Sequence, residues 1–587
     1  MGEAFVRKEI ENAMRIMPAC YHSHQEMAKP GTIPDELAFE MYCYSIKTAN
    51  PNNVDHQMFL GSYEIERETI TITADLLHYP VKFNENLKEP EYVGGWFLNG
   101  GTEAIIQACW IYRNKYFYEK FGNPERSKLK VPDFMKKKTG LFKDLFSIRK
   151  NGWFSMYPEY SKLYGQHEKV PIPKILAPFD VHFALTKAAD ILGFGQENIE
   201  YFFLDDNGRP DPESIRLHAK KILDNGDDIA MVWIVVGDTE RGIISDTEAL
   251  DNAVWDAIKS KNDYRPPTIV DAAAQYLFAV VMDGSDKYTD ANGEKKRIPN
   301  WDFRVKNVKA IVADPHKNQI PYPASILLIR DPQDTKHTVM ADAYLSLDLL
   351  AKSQDMSPVE LELTQKNATI PTSRAGYGAI ATWAYYVGHG LKEIRKKKEK
   401  IWYLVMKLRN SIVEGELQGV YELVCEPDSA LVDFRISPRW IEENEHELVE
   451  DIEIEKEIYN LYEKIHKNIP HSLILSLKAG KASYKIYNCI NESTSDWLYI
   501  ARSEHLTVKK EEEYKDFIRK KNELRYLNDE RKEQKKDPLK NIIYDYLGLM
   551  AHIMEHNREK DIDLLVKRLM EEAQNLIKKD AKKNERR

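Results

Sequence analysis

The sequence predicts an α/β fold built on a large, mainly parallel sheet with helices on its faces. Three observations predict it. From about Trp96 onward, short apolar runs of strand length alternate with longer stretches of helical period. The runs close at WFLNGG, KILAPFD, AMVWIVVGD, TIVDAA and AIVADPHK, each followed by a polar or glycine-containing turn. A chain of 587 residues is also long enough for a large domain with smaller companions.

Taken in order, the elements suggest an N-terminal helical segment over 1–90 and a large domain over 91–377, followed by a small C-terminal domain over 378–506 and a helical extension over 507–587. Residues 122–170, rich in Lys, Arg and aromatics, break the alternation and are expected to form an insertion of loops and short helices. In the extension, Asp537 and Pro538 make a helix start, and Leu539, Ile542, Tyr546, Met550 and Ile553 recur at helical steps. Ile562, Leu565, Leu569, Ala573 and Leu576 predict a second amphipathic helix.

Composition excludes several roles. A net charge of -9 and a pI near 6.0 give no overall attraction to nucleic acid or to an anionic membrane. The five cysteines lack the close spacing of zinc ligands and read as reduced thiols, so no metal site is expected. The first residues lack an apolar signal core, and the strongest apolar run, Ile229–Val236, is too short to cross a bilayer. A cytoplasmic enzyme is expected.

Ligands of open α/β sheets bind outside the carboxyl ends of the strands, which focuses attention on the run ends. There the sequence offers a set of groups that suits pyridoxal 5′-phosphate (PLP). Lys317 closes AIVADPHK and can carry the cofactor as a Schiff base. Asp271 ends TIVDAA, where a carboxylate costs desolvation unless it is paired, and it suits a pyridinium nitrogen; Ala272 and Ala273 leave room for a flat ring. Gly100, Gly101 and Thr102 open a helical run and can offer backbone N–H groups to a phosphate. His182 opens HFALTKAADILG and can stack on a ring or move a proton.

With GGTEA, HFALTKAADILG, TIVDAA and DPHK in this order, the sequence resembles the group II PLP-dependent amino-acid decarboxylases, in particular archaeal and bacterial tyrosine, aspartate and glutamate decarboxylases. NPNNVDHQMFLGSYEIERE, GDTERGIISD, IPYPASILLIRD and TSRAGYGAIATW extend the likeness from about Asn50 to Leu506. The resemblance implies the fold type I, aspartate-aminotransferase architecture and a homodimer with shared active sites, its N-terminal segment wrapped around the dimer. It implies that Lys317 carries the cofactor, Asp271 meets the pyridine nitrogen, His182 stacks on the ring, and Thr102 and His316 lie near the phosphate. It also implies that Ser373 reaches the phosphate in the partner subunit, that Tyr322 donates a proton, and that Arg502 orients the substrate or the small domain.

The insertion before Val170 and the helical tail lack counterparts in the compact archaeal members, and two further departures from the family fall beside the expected site. Asn318 and Gln319 stand where a methionine and a glycine are usual, and GDT replaces the usual GTT or GST turn, which puts Asp238 near the cofactor. The implied reaction is decarboxylation of an L-amino acid, aromatic or acidic, to the amine and CO2. The alternatives are a PLP-dependent carbon–carbon lyase of the sphingosine-phosphate lyase type and a catalytically decayed binding or regulatory protein on the same fold.

Overall fold

All five predicted strand runs are strands of one seven-stranded sheet, and two further strands complete it. The computed structural model describes residues 35–54, 58–80, 83–84, 89–90, 93–122, 148–164, 169–178, 180–205, 208–239, 241–260, 264–339, 368–437, 440, 477–479, 549–553 and 558–584. The strands are β1 (Gly94–Leu98), β2 (Pro173–Pro178), β3 (Ile199–Phe202), β4 (Asp228–Val235), β5 (Thr268–Asp271), β6 (Val308–Ala313) and β7 (Ser325–Ile329). Their spatial order is β1-β7-β6-β5-β4-β2-β3. Strand β7 runs antiparallel to both its neighbours, while the other pairings are parallel.

The central strands are buried along their whole length, as a parallel sheet covered on both faces requires. Two helices precede the sheet, α1 (Glu36–Thr48) and α2 (Leu60–Leu76). Between the strands lie α3 (Gly101–Phe117), α4 (Ile148–Tyr164), α5 (Ala184–Ile191), α6 (Pro212–Asp224), α7 (Thr247–Ile258) and α8 (Tyr276–Met282). Several start on the side chains that their sequence offers: Asp211 accepts from the Glu213 and Ser214 amides ahead of a proline, and Asp246 accepts from Ala249. Of the predicted insertion, α4 is described, bent at Gly152, with Trp153 packed 5.4 Å from Phe117.

A long helix, α9 (Tyr377–Val413), bends at Gly390 and leads into a four-stranded sheet of β8 (Tyr421–Leu423), β9 (Leu431–Ile436), β10 (Leu477–Ala479) and β11 (Leu549–His552). Strand β11 corrects an expectation. Met550 belongs to it and Ile553 follows directly, where the sequence predicts a helix. Leu549–His552 pairs with Leu431–Phe434, and Ala551 and Ile553 are buried two positions apart, the period of a strand. So short a run carries no decisive period of its own, and pairing on both sides, with Leu431–Phe434 and Leu477–Ala479, decides. Leu539, Ile542 and Tyr546 lie outside the described residues.

The second amphipathic pattern is a helix, α10 (Glu559–Asn584), with Ile562, Leu565, Leu569 and Ala573 buried. It rests on the small domain: the Tyr421 hydroxyl donates to the Leu569 carbonyl at 3.1 Å, and Lys407 pairs with Asp563 at 2.7 Å. Among the described residues, no helix is long and apolar enough to cross a membrane.

Candidate active site

At the carboxyl ends of the parallel strands, residues from distant parts of the chain line a cavity of about 570 Å³. That volume is in the range of small-molecule sites. Gly101, Thr102, His182, Asp271, Ala273, His316, Lys317 and Tyr322 all line it. Ser373 does not; it is exposed, and its hydroxyl accepts from Asn52 at 3.4 Å. Arg502 lies outside the described residues.

Each wall follows from local structure. Strand β6 runs out at Ala313, and a single turn, Pro315–Lys317, carries the lysine into the cavity. There the Lys317 ammonium lies 3.1 Å from Asp314, whose other oxygen accepts from the Ser325 hydroxyl at 2.7 Å. Burial pushes the Asp314 carboxyl up, but Lys317, His316 and Ser325 outweigh it and hold it below the usual carboxylate range. Gly101 is required at this contact, since a Cβ there would come within 2.7 Å of the Asp314 carboxylate. Asp314 is absent from the sequence-predicted set, although the signal was the one that marked Asp271: an acid directly after buried strand residues.

Burial lowers the pKa of His316, so its ring is neutral near pH 7. Its Nδ1 lies 2.6 Å from the Ala324 carbonyl, which assigns the proton to Nδ1 and leaves Nε2 as an acceptor. The Tyr322 ring meets it edge to face at 4.9 Å. In His182 the assignment reverses: Nδ1 accepts from the Ala184 amide at 3.2 Å, so the neutral ring carries its proton on Nε2.

Asp238 corrects the second departure. It does not line the cavity; Gly237 and Thr239 on either side of it do. The Asp238 carboxylate instead accepts from the Arg241 and Ile243 amides at 2.8 and 3.0 Å, closing its own turn. The other departure leaves a trace in the backbone. Gln319 has φ +62°, a conformation that suits glycine, and its carbonyl accepts from the Asp35 amide at 2.9 Å. Gln319→Gly is expected to stabilise the protein by about 1 kcal/mol, read as a higher urea midpoint.

The segment before α9 is fixed by a buried pair. Arg374 binds Glu66, whose carboxylate also accepts from the Phe97 amide at 3.1 Å and from Asn53 at 2.6 Å. Arg374 is thereby committed to joining α2, β1 and the TSRAG segment, and it does not line the cavity.

The residues present fit PLP. The N-terminus of α3 opens on the cavity at Gly100–Thr102, which suits a phosphate; a buried carboxylate, Asp271, and an amine, Lys317, share the same space. No family model matches the chain. Curated relatives do. The chain is 27% identical over 416 residues, 70% of its length, to a probable L-tyrosine/L-aspartate decarboxylase of Methanothermobacter thermautotrophicus, 84% of which is covered. It is 25% identical over 453 residues to the L-aspartate decarboxylase of Thermococcus kodakarensis, covering 76% of this chain and 88% of the relative. Over most of its length the chain is thus similar to proteins named tyrosine, aspartate and glutamate decarboxylases.

Solved structures agree on the fold. A tryptophan decarboxylase of Catharanthus roseus in complex with L-tryptophan superposes with a TM-score of 0.62 at 12% identity, covering 98% of this chain and 89% of that one. A glutamate decarboxylase of Lactobacillus brevis gives 0.58 at 14% identity, covering 98% and 93%. The chain thus has the fold type I architecture of these decarboxylases.

Proposed function

We propose that the chain removes the α-carboxylate of an L-amino acid with an uncharged, aromatic side chain, as a homodimer. The observation that carries this reading is the meeting of Lys317, Asp271, His182 and the start of α3 in one cavity. Bound PLP supplies an electron sink for the pair left at the substrate Cα when CO2 departs. Lys317 would hold the cofactor through its side-chain amine. Asp271, 5% exposed, keeps the pyridine nitrogen protonated. Gly101 and Thr102 take the phosphate, with His316 beside them. His182 and the hydroxyl of Tyr322 would deliver the proton to the substrate Cα.

The lining supports the choice of side chain. Among the described residues its only cation is Lys317, whereas Glu103, Asp180, Asp271 and Asp314 supply carboxylates and Ile105, Ile106, Ile191 and Ile370 supply apolar surface. An acidic side chain would meet Glu103 and Asp271 with no arginine on the described lining to bind it, since the guanidinium of Arg241 lies behind the wall and is taken up by Asp180. Exposed apolar residues at the rim, Phe183, Ile191, Tyr322 and Ile370, support a second subunit closing over the cavity, where Ser373 would reach the partner's phosphate.

The test is product mass spectrometry on PLP-loaded protein given L-tyrosine, L-tryptophan, L-aspartate or L-glutamate. Aromatic amines are expected in excess over β-alanine and γ-aminobutyrate. Preference for the acids would call for a cation in the pocket, and no amine from any of the four, together with an aldehyde from a phosphorylated amino alcohol, would replace decarboxylation by carbon–carbon cleavage. Tyr322→Phe is expected to lower kcat by about a hundredfold with PLP still bound; an unchanged kcat would assign the proton to His182 alone.

A further inference from the structure

Arg241 is 1% exposed, and no step of the proposed reaction uses it. A guanidinium can be buried so deeply only where carboxylates and carbonyls take up its charge and its N–H groups. Its Nη2 donates to Asp180, its Nη1 to the Gly208 carbonyl, and its Nε lies 3.5 Å from Asp238. These three partners sit in the loops after β2, β3 and β4, which are neighbours at one side of the sheet. One side chain therefore ties together the carboxyl-end loops of three adjacent strands.

Two of those loops form cavity wall. Asp180 lines the cavity and stands two residues before His182, while Gly237 and Thr239 line it from the loop after β4. A lone carboxylate at Asp180 would repel the carboxylate of an incoming amino acid, and the guanidinium behind it offsets that charge. The far side of the β4 loop is held by the small domain. Ser429 donates to the Gly242 carbonyl at 2.8 Å, and the Ile244 amide donates to Asp428 at 3.0 Å. Gly242 has φ +69°, and a Cβ there would come within 2.1 Å of the Ser429 hydroxyl, so this seat admits no side chain.

We propose that Arg241 is a positioning residue: through Asp180 it sets the His182 turn at the cavity wall, and it links that turn to the seating of the small-domain segment around Asp428. The inference rests on the reading of His182 as the residue beside the cofactor ring. The turn carries its own reporters. The Val181 amide donates to Pro178 at 3.1 Å, Ala184 to His182 Nδ1 at 3.2 Å, and Leu185 to the His182 carbonyl at 3.0 Å. Loosening Asp180 exposes these amides before it affects distant parts of the sheet.

The experiment compares Arg241→Met, Arg241→Lys, Asp180→Asn and the double variant Arg241→Met/Asp180→Asn with the native chain. Hydrogen exchange of the cofactor-free proteins is followed by mass spectrometry; visible circular dichroism and kinetics are measured on the PLP-loaded ones. In Arg241→Met, peptides over 181–185 are expected to exchange at least about tenfold faster, with β5 and β6 unchanged. The circular dichroism of bound PLP changes, and kcat falls by about tenfold with KM within about twofold, since the His182 ring is displaced and substrate binding is not. Arg241→Lys recovers part of the loss, and the double variant loses no more than Arg241→Met, because both act along one path. Unchanged exchange at 181–185 in a folded variant overturns the proposal, and so does faster exchange spread evenly over the chain. The exchange result needs no turnover, so it decides the role of Arg241 even if the proposed reaction fails.

Discussion

Lys317→Ala is expected to lower amine production by at least about a thousandfold, some 4 kcal/mol on the barrier. The loss has two sources. The amine proposed to hold the cofactor disappears, and so does the cation 3.1 Å from the Asp314 carboxylate. Asp314 is then left buried with Ser325 and His316 alone, so its carboxyl rises toward the range that burial favours. The sign for stability follows. A carboxyl held below its usual pKa contributes stability above that value and loses it as the pH falls. Removing Lys317 shrinks this contribution, so the variant should also be less stable near neutral pH. Lys317→Arg separates the two effects: it keeps a cation beside Asp314, but its delocalised guanidinium cannot form the Schiff base. Urea midpoints near native for Arg and lowered for Ala, with both variants lacking the visible absorbance of bound PLP, are the expected pattern. Native rates in Lys317→Ala would refute the assignment.

Glu66→Ala is expected to cost about 3–5 kcal/mol of stability, because it leaves the Arg374 guanidinium buried without its carboxylate. Both side chains are almost fully enclosed, and the same carboxylate holds the Phe97 amide and Asn53. Glu66→Gln keeps the shape and one acceptor and should lose less. A paired replacement, Glu66→Gln with Arg374→Met, should lose less than Glu66→Ala, since no charge is left stranded. Urea denaturation followed by tryptophan fluorescence reads the series; a midpoint for Glu66→Ala within about 1 kcal/mol of native would mean that water reaches the pair.

The large sheet was legible because its parallel strands are buried on both faces and read as unbroken apolar runs. Two strands escaped, for different reasons. Ile199–Phe202 is a four-residue edge strand with partly exposed middle residues, and Ser325–Ile329 follows a tight turn that reads as part of the lysine loop. The cavity was legible because a strand end announces itself: Asp271 and Lys317 both follow buried apolar residues. Asp180 and Thr239 were not, since their place depends on which loops the sheet order brings side by side, and spacing along one chain does not encode that order. Met550 shows the same limit in the small domain, where a strand partner more than a hundred residues away overrides a local helical period.

Strand β1 has one neighbour in the large sheet, and that neighbour is β7, with Gly94 opposite Ile329. During synthesis, the segment that leads into the phosphate-side helix therefore waits for a partner made much later. At the usual pace of translation the wait is on the order of ten to fifty seconds. Ser325, which steadies Asp314, and Lys317 leave the ribosome at the end of the same interval. The helix start and the lysine that we propose hold the cofactor are thus completed in a single late event. Nascent chains stalled before residue 325 should expose the edge of β1 to chaperones and bind no PLP, whereas chains released beyond β7 gain the means to close the sheet and take up the cofactor together.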